Sequence, residues 1–172
     1  MIDLGGKLMT PGFIDNHTHF LFGGYTLSGV DLRKAKTPKE FISILKEFCQ
    51  KYSDDRWILG GNWDHEVWGG ELPSRDWIDS VTGNHPIFLN RYDGHMALAN
   101  SKALEIAGIN KDTKVPEGGE MRKNTKGEYT GLLKDEAMAL VNKGIPGPTE
   151  KELEVLRAVV DEGKKAGVMV QD

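Results

Sequence analysis

The sequence has one cysteine, Cys49, in 172 residues. No disulfide can form within the chain, which points to a reducing compartment and makes cytoplasmic the expected localisation. It has no run of about 18 apolar residues, so no membrane span is expected. It has no excess of basic charge. Twenty-two Lys and Arg stand against 26 Asp and Glu, a formal net charge of −4 with both signs mixed along the chain. A nucleic-acid partner needs a basic face, so the expectation is a small-molecule partner without nucleic acid. The start, "MIDLGGKL", has neither a basic opening nor an apolar core, and does not read as a signal peptide. No repeat and no low-complexity tract is evident.

Glycine is plentiful, with 21 residues. Five pairs, Gly5-Gly6, Gly23-Gly24, Gly60-Gly61, Gly69-Gly70 and Gly118-Gly119, read as turns between many short elements. Residues 2–8 alternate weakly, as a short edge strand would. Residues 12–17, "GFIDNH", form an apolar run that turns polar, as a buried strand ending at a site would. The clearest helix is 37–52. Thr37 can cap it, Pro38 suits the first turn, and Glu40 completes a capping box. Phe41, Ile44, Leu45 and Phe48 then make an apolar stripe.

Further on, 56–61 reads as a strand and 72–81 as a short helix capped by Ser74. Residues 85–95 start as a strand and become polar. Residues 100–108 read as a helix between Asn100 and Gly108. The polar stretch 110–130 reads as a loop or small hairpin, and 131–144 passes from strand to helix. Residues 147–167 form a second strong helix, with Thr149 and Glu152 as its box, and 168–172 a last apolar strand. The order is that of an α/β protein. Both outer strands turn polar at their C-terminal ends, where α/β sheets and barrels carry their sites.

His17 and His19 stand two apart straight after the first apolar run. On a strand such residues share a face, with Cα atoms roughly 6.6 Å apart. Two imidazoles can then converge on one ion, though a catalytic zinc wants three protein ligands and an open position. Two solvated loop histidines fit the pair equally well. Asp15 beside them can orient a histidine or cap the strand. In "RYDGH", Arg91, Asp93 and His95 follow an apolar strand, and read as pocket residues or as a turn around Asp93-Gly94. "NWDHEVWGG", 62–70, places Trp63 and Trp68 on a glycine-bounded loop, as a lid over a pocket or as an anchor to the core. Trp57 and Trp77 read as core.

"PGFIDNHTH", 11–19, resembles the metal-binding start of the amidohydrolase superfamily, where such a segment ends the first strand of a (β/α)8 barrel. "MIDLGGKLMT" before it is similar to the strand that leaves a small β-sandwich in those enzymes. "RYDGHMALANSKALEIAGI" and "GEYTGLLKDEAM" resemble a branch that includes N-substituted formamide deformylase-like enzymes and exoenzyme regulators. "KKAGVMVQD" looks like that branch's second barrel strand. The resemblance implies an α/β fold made of a partial (β/α)8-barrel segment, holding its first two strands, with a large α+β insertion. Residues 1–10 would end a β-sandwich strand, and 11–52 would form the first barrel strand and its helix. Residues 53–146 would be the insertion, and 147–172 a crossover helix and the second strand.

The resemblance further implies a metal-dependent hydrolase acting on a carbon–nitrogen bond that is not a peptide bond, with an amide-like substrate. His17 and His19 would bind a divalent metal, zinc first, as one or two ions. The metal lowers the pKa of a bound water towards ~7 and so supplies hydroxide. Later histidines and an acid/base aspartate would lie beyond residue 172. The chain is then expected to be an inactive fragment, with exposed strand edges open to self-association. His95, Arg91 and Asp93 would line the substrate pocket, His95 donating a hydrogen bond to the scissile group. Lys134 is a third candidate ligand, as a carboxylated bridge between two ions. As a plain surface lysine it would instead open a helix whose first turn holds Asp135 and Glu136. A binding or regulatory module that keeps the fold without the chemistry is the alternative to the enzyme.

Overall fold

A computed structural model describes residues 5–8, 29–52 and 55–165. The expected strands at 12–17 and 168–172, with Asp15, His17 and His19, lie outside the described residues. The chain divides into two compact units, Tyr25–Gly147 and a second made of Met1–Gly24 with Pro148–Asp172. Within the second, Gly5 and Gly6 form a turn with φ of 54° and 77°, where the alternation at 2–8 had suggested a strand. Positive φ at two successive residues does not continue an extended ladder. Its helix runs Glu150–Lys165 and starts directly after Thr149, as the sequence predicts.

The larger unit is a six-stranded mixed sheet. Its strands are β1 (Val30–Asp31), β2 (Gly60–Trp63), β3 (Phe88–Arg91), β4 (Met96–Ala99), β5 (Gly119–Lys123) and β6 (Tyr129–Asp135), in spatial order β1-β2-β3-β4-β6-β5. β1, β2 and β3 are parallel neighbours, while β3–β4, β4–β6 and β6–β5 pair antiparallel. Among the described residues α1 (Pro38–Cys49), α2 (Arg75–Ile78) and α3 (Ser101–Ile106) lie between strands, and α4 (Met138–Asn142) follows β6.

The strands alternate in both directions because both faces are covered. Ile87, Leu89, Leu98 and Leu132 point to one face, where they meet Phe41, Leu45 and Cys49 of α1 and Ile78 of α2. Phe88, Ala97, Ala99 and Leu133 point to the other, against Ala103 and Leu104 of α3 and Val141 of α4. α1, placed by sequence before the boundary at residue 53, thus shares one core with strands on the far side of that boundary. Burial pushes the Cys49 thiol up to about 11, so it packs as a small apolar side chain.

α1 forms where its caps predict. Thr37 Oγ1 accepts the Glu40 amide at 3.2 Å. Glu40 reaches one residue further back than a capping box requires, accepting the Lys36 amide at 2.7 Å. Asn100 caps α3, and Gly108 ends it at φ 68°. Ser74 makes no capping bond, and α2 is a single turn. The stretch 110–130 holds β5 and the hairpin turn into β6.

Two features of the sheet differ from the sequence reading. Gly60-Gly61, read both as a turn and as the end of a strand over 56–61, is no turn and opens β2. A Cβ on Gly60 would stand 2.7 Å from the Val30 carbonyl oxygen, and one on Gly61 2.7 Å from that of Asn90. The glycines are there because both neighbouring strands approach too closely for any side chain. "MALA", 96–99, is a strand that period alone could not announce, because four small and apolar residues facing two covered sides show no alternation.

Candidate functional site

β4 runs against both β3 and β6, so β6 points the same way as β1, β2 and β3. Four strands therefore end on one edge, and each ends in charge: Asp31 on β1, Asp64 after β2, Arg91 and Asp93 at β3, and Lys134 and Asp135 on β6.

The loop 92–95 between β3 and β4 is held from inside. Arg91 extends one guanidinium nitrogen to Asp64 Oδ1 at 3.1 Å and the other to Asp93 Oδ2. Asp93 Oδ1 in turn accepts the His95 amide at 3.1 Å. Burial opposes the charge on both partners. For Arg91, the bonds from Asp93 and Asp64 overcome it and raise the pKa. For Asp93, the His95 amide and the Arg91 guanidinium overcome it and hold the carboxyl below its ordinary value. The guanidinium also lies over the Tyr92 ring, 4.7 Å from its centre.

His95 stands at the rim with 78% of its side chain exposed. Its Nδ1 lies 3.0 Å from Asp135 Oδ1, and its carbonyl accepts the Asp135 amide at 3.1 Å. The structure thus brings Arg91, Asp93 and His95 into one connected set. Lys134 is a neighbour of the set and not a member. Its Nζ pairs with Glu120 Oε2 at 3.2 Å, across the β5–β6 ladder.

Sequence reasoning missed Asp64 and Asp135 as members. Asp64 lies 27 residues from Arg91, and no local pattern announces the pair. Asp135 read as a charge in a first helical turn, but β6 continues through it and the helix starts at Met138. The lid-or-anchor question for 62–70 resolves as an anchor. Trp63 is fully buried and donates its indole N–H to the Leu89 carbonyl at 2.9 Å. Trp68 donates to the Glu71 carbonyl at 2.8 Å and meets Phe41 edge-on at 5.9 Å. Trp57 and Trp77 both pack, half-buried, against the core.

Among the described residues, no group of three or more His, Cys, Asp or Glu side chains could hold a metal ion. The edge offers hydrogen-bonding and charged groups, and the expected ligands His17 and His19 lie outside the described residues. Among the described residues, no helix is long and apolar enough to cross a membrane.

Charged side chains gather on one edge, at the carboxyl ends of β1, β2, β3 and β6, with helices packed on both faces of the sheet, which is an α/β arrangement. The model of the amidohydrolase family matches residues 1–171, and the chain belongs to that family. It is similar to Protein LONG AFTER FAR-RED 3 of Arabidopsis thaliana, 46% identical over 90% of this chain and 26% of that protein. It is similar to an N-substituted formamide deformylase of Arthrobacter pascens, 31% identical over 83% of this chain and 27% of that one. Among solved structures, an uncharacterized metal-dependent hydrolase of Pyrococcus horikoshii OT3 superposes with a TM-score of 0.62 at 28% identity, over 92% of this chain and 29% of that chain. The chain spans about a quarter of the length of the curated relatives it matches.

Proposed function

We propose that this chain is the N-terminal part of a metal-dependent hydrolase that cleaves a carbon–nitrogen bond outside peptide linkages, in a small amide-like substrate. The observation that carries the reading is the family match over residues 1–171, a span that includes both His17 and His19. In this reading the two histidines end the first strand of a (β/α)8 barrel and bind a divalent ion, zinc. The bound ion supplies hydroxide at neutral pH. The remaining ligands and the acid/base carboxylate belong to a longer chain of the relatives' length.

His95, in the larger unit, is a substrate contact in this reading. Arg91 and Asp93 support it from behind, the guanidinium holding Asp64 and Asp93, and Asp93 holding the His95 amide. Lys134 serves as a structural cation in this reading. Carboxylation would turn it into an anion beside Glu120, its present partner at 3.2 Å, and replace an attraction with a repulsion.

The test is metal analysis of the protein extended to its relatives' length, with His17→Ala and His19→Ala beside it. Each substitution should lower bound metal by at least about tenfold, as removal of a first ligand exceeds the loss seen for outer partners. Metal content unchanged in both variants removes the reading. Hydrolysis of N-formyl and ureido compounds, absent from the variants, then identifies the bond.

A further inference from the structure

We infer that Asp135 is a positioning residue that holds His95 in its Nδ1–H tautomer, so that Nε2 meets a ligand as a hydrogen-bond acceptor. Asp135 Oδ1 lies 3.0 Å from His95 Nδ1. An ionised carboxylate can only accept, so the proton of this bond sits on Nδ1. A neutral imidazole carries one N–H, and Nε2 is left with a lone pair. The group it faces must therefore donate. The sequence had suggested the opposite role, a donor to the scissile group.

The backbone around the pair is arranged for this contact. Asp135 grips His95 twice, through its carboxylate and through its amide, which donates to the His95 carbonyl at 3.1 Å. Both grips come from a left-handed backbone at φ 46°. Among the described residues only Asn62 shares that trait outside glycine. Glycine would adopt this conformation without strain. Aspartate is among the few other residues that tolerate it, and beyond glycine it brings to the position a carboxylate within reach of His95. On the other side, Asp93 holds the His95 amide and is itself held by Arg91, which Asp64 braces. The pair is open to solvent, with 78% and 51% of the two side chains exposed, so it adds little to stability. What it fixes is orientation.

Resting on the reading of this edge as substrate-facing, the acceptor at Nε2 selects a ligand with an N–H or O–H. The N–H of a secondary amide, beside the bond to be cleaved, is such a group.

Long-range proton–nitrogen correlation spectra of the ¹⁵N-labelled protein at about pH 9, above the ordinary imidazole range, test this directly. His95→Gln assigns the signals. The wild-type ring should show the Nδ1–H pattern. Asp135→Gly removes the carboxylate without backbone strain, and should raise the Nε2–H share roughly fivefold, the scale of an exposed contact. Asp135→Asn, whose amide can donate as well as accept, should lie between the two. An Nε2–H ring in the wild type, or a ring indifferent to Asp135→Gly, overturns the positioning role. Titration with N-methylacetamide should move the Nε2 signal, and N,N-dimethylacetamide, which has no N–H, should not. Equal or absent responses with the Nδ1–H pattern intact overturn the donor-bearing ligand, and the placing of substrate at His95 with it, while the tautomer result stands by itself.

Discussion

Replacing Asn100 with alanine should destabilise the protein more than any other single truncation of a polar side chain in the sheet unit. The side chain is 2% exposed and uses its full bonding capacity within the protein. Its Oδ1 accepts the amides of Ile87 at 3.0 Å and Ala103 at 2.9 Å. Its Nδ2 donates to Thr82 Oγ1 at 3.1 Å and to the His85 carbonyl at 2.9 Å. One residue thus caps α3, secures the start of β3 and ties down the segment between α2 and β3. Alanine leaves two buried amides without an acceptor, at about 1–3 kcal/mol each, and strips a carbonyl of its donor. The cap itself is worth about 1 kcal/mol and overlaps the Ala103 term. The sum is about 3–5 kcal/mol. Thr82→Ala, which removes only one bond of the same network, sets the internal scale at about 1 kcal/mol.

Urea unfolding followed by tryptophan fluorescence reads the difference. The midpoint should fall in Asn100→Ala with the slope unchanged, because the surface exposed on unfolding is the same. Exchange of the Ile87 and Ala103 amides with solvent should speed up together. A loss below about 1 kcal/mol, or one no larger than that of Thr82→Ala, would refute the account. The network would then be tolerated by water entering at the end of the sheet.

Two further outcomes follow from the geometry. A Cβ on Gly131, at φ 89°, would stand 2.1 Å from the Ala99 carbonyl oxygen, whereas one on Gly94, at φ 76°, meets nothing within 4 Å. Gly131→Ala should therefore cost several kcal/mol by thermal unfolding and Gly94→Ala about 1 kcal/mol, and equal losses would contradict the close strand approach. Asp31 is held at about 2, below its usual 3.8, chiefly by the side-chain bond from Arg33. A depressed folded value means the stabilisation is present above pH 3.8 and is lost as pH falls towards 2, so Asp31→Asn should flatten the acid limb of the stability curve in that window. Asp93, also lowered, leaves part of the slope in place.

Helix starts were legible because capping is local chemistry. Thr37, Pro38 and Glu40 lie within four residues, and Asn100 announces α3 by its own identity. The site was half legible for the same reason. Arg91, Asp93 and His95 are neighbours in "RYDGH", and their polarity after an apolar run marks an edge. Their partners Asp64 and Asp135 lie 27 and 40 residues away and become partners only once β2, β3, β4 and β6 share one sheet. The Gly60-Gly61 pair shows the same limit. Two glycines signal permissive backbone, but whether they serve a turn or a tight strand contact depends on neighbours that the local pattern does not contain.

The two ends of the β3–β4 pair are built on opposite terms. At one end Ile87, Asn100, Thr82 and His85 close a network in which Asn100 has every bond it can make, and His85 Nδ1 lies 3.1 Å from the Arg56 carbonyl oxygen. At the other end stand the only buried side-chain polar atoms, among the described residues, that find no partner: His65 Nδ1, Asn90 Oδ1 and Arg91 Nε. The two left-handed residues other than glycine, Asn62 and Asp135, also lie at this end, on β2 and β6. A buried polar atom without a partner costs about 1–3 kcal/mol, and a left-handed non-glycine residue about 1–3. Such terms scattered over a fold would be noise. Gathered on one edge they mark where the sheet gives up stability, and the satisfied end is what lets it do so. Substitutions should therefore divide by end. Those around Asn100 should lower stability, while those at the exposed His95 and Asp135 should cost the fold little.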